Sequence, residues 1–511
     1  MRVGAALLLI ELVLGTATAA TPPRAQRVLG EAAKAMGRLE PGTTEARGQI
    51  EAEGRTGDYS ELIRSRDGAY VTRFTYQRFG EADGYDGRVR WKQDRSAATH
   101  VLNAPYTIAD TLSLAWLKRR GYLQPGTARI ERVEQETISG RPATVLTMRP
   151  RGGNPLRLAF DDQTHLLLQV QRDKPLSTIT ETYSNYRRVG ARSLPFHIET
   201  EESGDRQLFR IARYAHVAKP SFATPKAPND TVIAGSATIP LLAPNFAVVP
   251  ARINGHDYDF ILDTGGHNIV TPEIAAELGL TREGQGTSGG SGPGRQETSD
   301  TQITKLELGS ATMTDQHFTI LDMGNAVKRK DKPPMAGILG LEIFERMVVT
   351  VDEPRGRLTI DPPRPGRRCE GDAIPLLFDD DMPAVRGTID GIPAQIGIDV
   401  GNGGIPIVLW RWAEAHKLAD KFRAGKQGSG SGVGGNNTTY RTPHHDIVIG
   451  KSAIRDTDVN YATTPTGYFS SRADSMNLGR TLFQNYVVRF DYPQGHMCVM
   501  PAASAAKGER G

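Results

Sequence analysis

The second half of the 511-residue chain repeats itself, and this repeat limits the possible folds more than any other feature of the sequence. Residues 261–266 (Ile-Leu-Asp-Thr-Gly-Gly) recur as residues 398–403 (Ile-Asp-Val-Gly-Asn-Gly), with the aspartates 136 positions apart (399 − 263). Four further landmarks recur in the same order: 239–242 with 374–377, 284–289 with 426–430, 338–340 with 477–479, and 352–356 with 491–495. Landmarks in one order at nearly constant spacing predict a tandem duplication.

Each copy of the repeat has the same predicted order of elements. A strand, a turn and a second strand lead to Asp-x-Gly, followed by a short helix, a glycine-rich segment, two or three strands and a Leu-Gly turn. The helix is predicted at residues 272–278 in the first copy and at residues 407–418 in the second. An isolated Asp-x-Gly is usually only a tight turn. Here each one follows an apolar strand inside a duplicated unit, which favours a functional role.

This arrangement resembles the retropepsin-like aspartic proteases over about residues 235–503. In that family each half contributes one aspartate from an Asp-Thr/Ser-Gly loop, and a hydrophobic-hydrophobic-Gly segment passes through that loop. A single chain with two copies supplies both halves itself, as the pepsin-like enzymes do. The resemblance implies two all-β lobes in a bilobal arrangement, one at residues 235–366 and one at residues 367–503.

The same resemblance assigns roles to individual residues. It makes Asp263 and Asp399 the catalytic pair and residues 284–294 and 425–435 two flaps over the substrate. The residues that support the two aspartate loops are Thr264, Gly265, Val400 and Gly401, and the flap residues that bind substrate are Gly286, Gly289, Gly428 and Gly430.

Paired carboxylates have a chemistry that does not depend on the family. Two carboxylates about 3 Å apart cannot both ionise cheaply, so they share one proton and their titrations separate. The ionised group activates a water molecule, while the protonated group polarises the scissile carbonyl and later donates to the leaving nitrogen. This chemistry needs no metal, no cofactor and no covalent intermediate. The predicted function is therefore an aspartic endopeptidase that acts on a peptide or protein substrate.

Two positions depart from the family pattern. Val400 stands where the family usually has Thr or Ser, so one of the hydroxyls that link the two loops is missing. Asn477 replaces an apolar residue in the second Leu-Gly segment. A weakened second half is compatible with a slow enzyme. It is also compatible with the alternative function, a non-catalytic periplasmic binding protein that holds an acyl chain or a peptide.

Residues 25–216 alternate apolar and polar side chains over many short runs separated by turns. Strands are predicted at 70–76, 143–148, 156–160, 166–170 and 194–198, and helices at 25–37 and 108–118. The segments at 87–91, 139–143, 160–164, 183–189 and 194–196 resemble the periplasmic lipoprotein-carrier family. That resemblance implies an α+β open half-barrel and a lipid or acyl chain as its candidate ligand. A proline-rich linker is predicted at residues 217–234, and the whole chain is predicted to be mainly β.

The N-terminus and the composition indicate a compartment. Residues 1–19 have the charged start, apolar run and small-x-small site of a secretory signal peptide, and no later segment is long and apolar enough to span a bilayer. The two cysteines, Cys369 and Cys498, are far from that site, which excludes a lipid anchor there; they form either one disulfide or two buried thiols. We therefore predict a periplasmic or secreted protein that ends in a short tail, residues 504–511.

Other partners and sites find no support in the sequence. The 62 Lys and Arg residues nearly balance the 58 Asp and Glu residues and form no basic run, so a nucleic-acid partner is not expected. The run His444-His445-Asp446 is interpreted as a strand edge and not as a metal site, because neighbouring strand residues point to opposite faces. His267 is interpreted either as part of the cleft or as an ordinary loop histidine.

Overall fold

The structure, a computed structural model, describes residues 22–38, 40–243, 247–330 and 332–502. The predicted signal peptide and the predicted tail lie outside these residues. The fold is mainly β, as predicted, and consists of one large N-terminal sheet followed by three sheets built from the duplicated half.

The N-terminal sheet has 13 strands, all paired antiparallel, and two helices. The elements are α1 (Pro23–Met36), β1 (Thr43–Ala52), β2 (Arg55–Arg64), β3 (Tyr70–Tyr76), β4 (Phe79–Tyr85), β5 (Arg90–Gln93), β6 (Thr99–Leu102), α2 (Pro105–Lys118), β7 (Ala128–Ile138), β8 (Arg141–Pro150), β9 (Leu156–Asp161), β10 (Leu167–Asp173), β11 (Thr178–Val189), β12 (Arg192–Glu202) and β13 (Asp205–His216). The spatial order is β6-β5-β4-β3-β2-β1-β13-β12-β11-β10-β9-β8-β7. The first and last strands therefore pair in the middle of the sheet.

Both helices begin with proline at their first position, where the missing N–H costs no helical hydrogen bond. They bury residues of one face, including Ala32 and Leu114, in a core shared with strand residues such as Leu146 and Phe160. Helices and strands enclose a cavity of about 480 Å³. We call this sheet with its two helices the half-barrel.

The first copy of the repeat contributes the next elements. These are β14 (Thr231–Ile233), β15 (Ala237–Pro240), β16 (Val248–Ile253), β17 (His256–Leu262), β18 (Ile269–Val270), α3 (Pro272–Glu277), β19 (Glu283–Gly289), β20 (Arg295–Leu308), β21 (Ala311–Leu321), β22 (Gly337–Leu339), α4 (Leu341–Arg346), β23 (Val348–Asp352) and β24 (Arg357–Asp361). Eight of the strands form a sheet in the order β14-β21-β18-β22-β17-β16-β20-β19, which we call lobe 1.

The second copy contributes an equivalent set. These elements are β25 (Asp372–Pro375), β26 (Leu377–Phe378), β27 (Pro383–Ile389), β28 (Ile392–Ile398), β29 (Ile407–Leu409), α5 (Trp410–Ala415), α6 (Ala419–Arg423), β30 (Lys426–Gly432), β31 (Gly435–Ile449), β32 (Ser452–Ala462), β33 (Met476–Leu478), α7 (Arg480–Asn485), β34 (Tyr486–Asp491) and β35 (His496–Pro501). The order β26-β27-β28-β33-β29-β32-β31-β30 forms the second eight-stranded sheet, which we call lobe 2.

A six-stranded sheet joins the two lobes in the order β15-β24-β23-β34-β35-β25. Each copy contributes three strands, and the copies meet where β23 pairs antiparallel with β34. The repeated landmarks at 239–242 and 374–377 fall at the two outer edges of this sheet. Cys369 and Cys498 form a disulfide beside it, with 5.5 Å between their Cα atoms. Of the two states that the sequence left open, one disulfide or two buried thiols, the structure has the disulfide.

The predicted helix at 407–418 is wrong at its start. Residues 407–409 form β29, which pairs in parallel with β32, and the helical residues begin at Trp410. A ladder with a strand about 50 residues away outweighs the local preference for helix in this segment. The short loops after Asp352 and Asp491 are hairpin turns, each closed by a glycine at positive φ (61° at Gly356 and 69° at Gly495).

Among the described residues, no helix is both long and apolar enough to cross a membrane. The same part of the chain holds no cluster of His, Cys, Asp and Glu that could bind a metal ion. His444 and His445 lie where β31 bulges against β32, and each contacts a separate carboxylate, Asp456 and Asp390 respectively.

Candidate active site

Asp263 and Asp399 occupy equivalent places at the ends of β17 and β28. Each of these strands pairs in parallel with the predicted Leu-Gly segment of its own copy, β22 or β33. The Asp263 N–H donates to the carbonyl of Leu339 and the Asp399 N–H to the carbonyl of Leu478, both at 3.0 Å. The duplicated sequence thus produces the same backbone frame around both aspartates.

Close backbone approaches explain the glycines of this frame. A Cβ atom at Gly340 would overlap the carbonyl oxygen of Gly266, and one at Gly479 would overlap that of Asn402. A Cβ at Gly401 would lie 2.6 Å from the Cγ atom of Asp263. The loop of one copy therefore lies directly against the carboxyl group of the other.

The two loops are interlocked from one side only. The Thr264 hydroxyl donates to the carbonyl of Ile398 at 2.6 Å and accepts from the Val400 N–H at 3.0 Å. The buried side chain of Val400 has no hydroxyl to make the reciprocal contacts. The structure thus places Thr264 and Val400 at the contact between the loops, with the asymmetry that the sequence indicated.

Asn477 contacts the second aspartate, a role that the sequence analysis missed. Its Nδ2 donates to Asp399 Oδ2 at 2.6 Å, and its Oδ1 accepts from Asn402 Nδ2 at 2.6 Å. The Asn402 N–H donates to the other oxygen, Asp399 Oδ1, at 3.0 Å. The signal in the sequence was a pair of departures, since Asn402 and Asn477 both replace the residue types found in the first copy.

The two carboxyl groups share a hydrogen bond, and burial together with the charge of Asp399 raises the pKa of Asp263 to about 8. Burial also raises the pKa of Asp399, although the hydrogen bonds from Asn477, Asp263 and the backbone of Asn402 and Gly401 oppose that rise. Because more donors stabilise the ionised form of Asp399, the shared proton belongs on Asp263.

The predicted flaps are two hairpins, β19–β20 and β30–β31. Gly286 and Gly289 lie in β19, and Gly428 and Gly430 lie in β30; Gly289 is the last strand residue before its hairpin tip. The tips bond to each other: the Gly292 N–H donates to Val433 O and the Gly294 N–H to Gly434 O, both at 2.8 Å. The flaps are therefore joined in this structure, and the joining residues are those of the tips.

Tyr468 links a flap to the strand that carries Asp399. Its N–H donates to Gly290 O at 3.1 Å, and its hydroxyl donates to Asp474 Oδ2 at 3.0 Å. A Cβ atom at Gly397, two residues before Asp399, would overlap the Tyr468 hydroxyl. No pattern in the sequence marked this tyrosine, because it lies in an irregular segment.

His267 lies between two carboxylates. Its Nδ1 is 2.9 Å from Glu342 Oε1 and its Nε2 is 3.0 Å from Asp381 Oδ2. Burial alone would lower the pKa of His267, but the charges of Glu342 and Asp381 outweigh burial and raise it well above the usual value. The protonated form of His267, four residues beyond Asp263 in the chain, is therefore favoured.

Residues 249–343 match the family model described as aspartyl protease. The matched segment includes Asp263 and the first Leu-Gly turn. No curated protein matches the chain.

Solved structures similar to this chain include proteins of two kinds. One is an aspartic proteinase from Irpex lacteus, with 12% identity, a TM-score of 0.36, and coverage of 52% of this chain and 97% of that chain. The other group contains a LolA superfamily protein from Nitrosomonas europaea (15% identity, TM-score 0.28, 38% and 94% covered) and a DUF1329 family protein from Desulfovibrio piger (10% identity, TM-score 0.29, 39% and 94% covered). The family model falls within residues 235–503, the part of the chain whose sequence resembles the aspartic proteases.

Proposed function

We propose that this protein is an aspartic endopeptidase of the cell envelope, in which Asp263 and Asp399 activate a water molecule against a peptide bond. The observation that carries the proposal is the shared hydrogen bond of two half-buried carboxyl groups whose surroundings favour different protonation states. Such a pair contains the base and the acid that peptide hydrolysis requires.

In this proposal Asp399 is the base and Asp263 the acid. Ionised Asp399, held by Asn477 and Asn402, takes a proton from the water as the oxygen attacks the carbonyl carbon. Protonated Asp263 donates to the carbonyl oxygen, which becomes the developing oxyanion. The proton gained by Asp399 then passes to the leaving nitrogen as the C–N bond breaks, and the tetrahedral intermediate returns to Asp263 the proton that it received, which restores both aspartates.

The flaps suit an extended peptide. The strands β19 and β30 that carry the four glycines are the last strands of their sheets, and an extended substrate can bond to a free sheet edge through its own main chain. Part of the β19 edge is already occupied, because the Gln285 N–H donates to the Glu53 carbonyl of the half-barrel at 2.7 Å. Two hydrogen bonds at 2.8 Å join the tips, so the flaps must part for substrate to enter.

The test compares Asp263→Asn and Asp399→Asn with wild type on a reduced, carboxymethylated protein substrate between pH 3 and pH 8. Both variants are expected to lose cleavage completely, because each removes one of the two proton-transfer groups. Asp257→Asn is the matched control, since Asp257 lies in β17, the strand that leads to Asp263, but has an exposed side chain. A transition-state mimic of aspartic proteases should inhibit wild type. Undiminished cleavage by either dyad variant contradicts the proposal.

A second candidate function, binding of an acyl chain, is favoured by the half-barrel cavity. Its walls combine aliphatic side chains such as Leu114, Leu117 and Leu167 with six tyrosines, at positions 59, 70, 122, 183, 186 and 214. Charged side chains, including those of Asp110, Arg120 and Glu181, line the rest of the cavity. In that case organic extracts of the purified full chain should contain lipid. Leu114→Trp, which fills the cavity, should remove that lipid, whereas Ile108→Trp on the exposed face of the same helix should not. Lipid-free wild type would argue against this function.

A further inference from the structure

The loop of residues 379–382, between β26 and β27, lies between the half-barrel cavity and the loop that carries Asp263. At one end, Asp379 and Asp380 form part of the cavity wall. At the other end, the Met382 side chain lies so close to Gly265 that a Cβ there would overlap its methyl group. One short segment of lobe 2 thus touches both the half-barrel and the first dyad loop.

The half-barrel holds this segment with a lysine. Lys92 in β5 places its Nζ 2.8 Å from Asp380 Oδ1 and 3.0 Å from both carboxylate oxygens of Asp381. From the next strand, His100 Nε2 lies 3.7 Å from Asp381 Oδ1, while its Nδ1 is 2.8 Å from Glu345 Oε1. Lys92 is thus the permanent cation that the half-barrel presents to both aspartates.

On its other side Asp381 holds His267, which the dyad loop carries. The second carboxylate contact of His267 is Glu342 in α4, and Glu342 Oε2 also accepts from the Asn268 N–H at 3.0 Å. Asn268 Oδ1 in turn accepts from the Gly340 N–H at 3.0 Å. Every link from Lys92 to the backbone around Asp263 is therefore a hydrogen bond or an ion pair.

We propose that Lys92 of the half-barrel is a positioning residue for the aspartate pair, acting through Asp381 and His267 on the loop that carries Asp263. The inference rests on the proposed function and adds to it that the half-barrel is a working part of the active site. A partly buried ion network holds one geometry only while its charges are paired, because a carboxylate left without its cation must rearrange or take up a proton. Without Lys92, the neighbouring carboxylates of Asp380 and Asp381 have lost their lysine, and the cations that remain near Asp381 are His100 and His267.

This network predicts a specific pH dependence. Burial would raise the pKa of Asp381, but the charges of Lys92, His267 and His100 hold it well below its usual range. The groups that face Asp381 are these three cations and the neighbouring carboxylate of Asp380. Without Lys92 the pKa of Asp381 rises, so Asp381 takes up a proton and releases His267 as the pH falls. The loss of activity caused by removing Lys92 should therefore be greatest at acidic pH.

The experiment uses the full chain and compares Lys92→Met, Lys92→Arg and Lys118→Met. Lys118 is the matched control, because it also lines the cavity but pairs with Glu61 inside the half-barrel. We expect Lys92→Met to lower kcat at least tenfold at pH 4 and less at pH 6.5, with KM unchanged. Lys92→Arg should restore most of that loss, and Lys118→Met should follow the wild-type profile. Identical pH profiles for the two methionine variants would overturn the proposal.

A second measurement does not depend on activity. The imidazole ¹⁵N signals of His267, identified by their absence from His267→Gln, report the contacts of its two ring nitrogens. Lys92→Met should shift these signals at pH 4 to 5, whereas Lys118→Met should leave them in place. If the signals stay unmoved in Lys92→Met, the positioning role is wrong. This result stands apart from the dyad variants, which test the proposed function itself.

Discussion

Asp263 and Asp399 arise from one duplicated motif, but their immediate neighbours have become different. The Thr264 hydroxyl bonds to the second loop, whereas the Val400 side chain has no hydroxyl to bond to the first. Asn477 donates to Asp399 where the first copy has Ile338. A hydrogen bond to a carboxylate is stronger than one between neutral groups. The amide of Asn477 therefore stabilises the charge of Asp399.

Asn477→Leu should raise the pKa of Asp399, because it removes the donor at 2.6 Å that favours the ionised form. The lost charge-assisted hydrogen bond is worth about 1.5–3 kcal/mol, so kcat should fall roughly 10- to 100-fold. The acidic limb of the kcat–pH profile should also move to higher pH. Asn485→Leu, at an exposed position in the same lobe, is the control. An unshifted acidic limb would mean that Asn477 does not contact the working base.

The sequence could predict which residues form the pair but not how each is tuned. Asp263, Asp399 and the difference between Thr264 and Val400 follow from an alignment of the repeat with itself. The Asn477 contact spans 78 positions and depends on the side-chain direction that the β33 backbone imposes. A self-alignment flags Asn477 only as a departure, which is why it suggested a weakened half instead of a donor.

At the level of elements, local alternation predicts strands well where the partner strand is a neighbour in the chain. The run at 70–76 coincides with β3, whose partners β2 and β4 are adjacent hairpin strands. The failure at 407–409 has the opposite cause, since the partner of β29 is distant. The six-stranded sheet that joins the lobes could not be predicted for the same reason, because its β23–β34 pairing joins segments about 140 residues apart.

The disulfide encloses lobe 2 almost completely, because 129 positions separate Cys369 from Cys498. Closing a loop of this length in the unfolded chain corresponds to about 3–5 kcal/mol of stabilisation. The double substitution Cys369→Ser with Cys498→Ser should lower the guanidinium midpoint of the lobe transition accordingly. Wild type treated with reductant serves as the comparison, since it removes the bond without changing the packing of two residues. Equal midpoints for oxidised and reduced protein would contradict this expectation.

At the scale of the molecule, buried protonated carboxyl groups set the response of stability to pH. Burial and the charge of Asp379 raise the pKa of Asp474 to about 7, and that of Asp263 is about 8. An unfolded aspartate has a pKa of about 3.9, so these two groups bind more protons in the folded chain than in the unfolded chain between about pH 4 and pH 7. Their contribution to the free energy of unfolding should therefore fall as the pH rises through this window, by up to about 1.4 kcal/mol per pH unit for each group.

Asp474→Asn should flatten that fall, since an amide binds no proton on folding and can still meet Gln395 and Tyr468. Thermal unfolding between pH 4 and pH 8 measures the slope. Asp257→Asn should leave the slope unchanged, because Asp257 is exposed and its contact with Arg252 lowers its pKa. A slope that Asp474→Asn does not alter would show that this carboxyl group ionises normally in the folded protein.

The way the half-barrel packs against the lobes could not be predicted from the sequence. Lys92 and Asp380 are 288 positions apart, and an ion pair has no periodicity that a single sequence could reveal. Hydrophobic alternation indicated the sheet, and the repeat indicated the lobes, but the contacts between them are individual charged side chains.

The sheet that joins β23 to β34 within one chain has a consequence for how this site can evolve. In a protease assembled from two identical chains every substitution appears twice, so both aspartates always keep the same neighbours. Fusion removes this restriction, because a change at position 400 leaves position 264 as it was. One half can then specialise in holding a proton and the other in holding a charge, a division of labour closed to any homodimer with exact twofold symmetry.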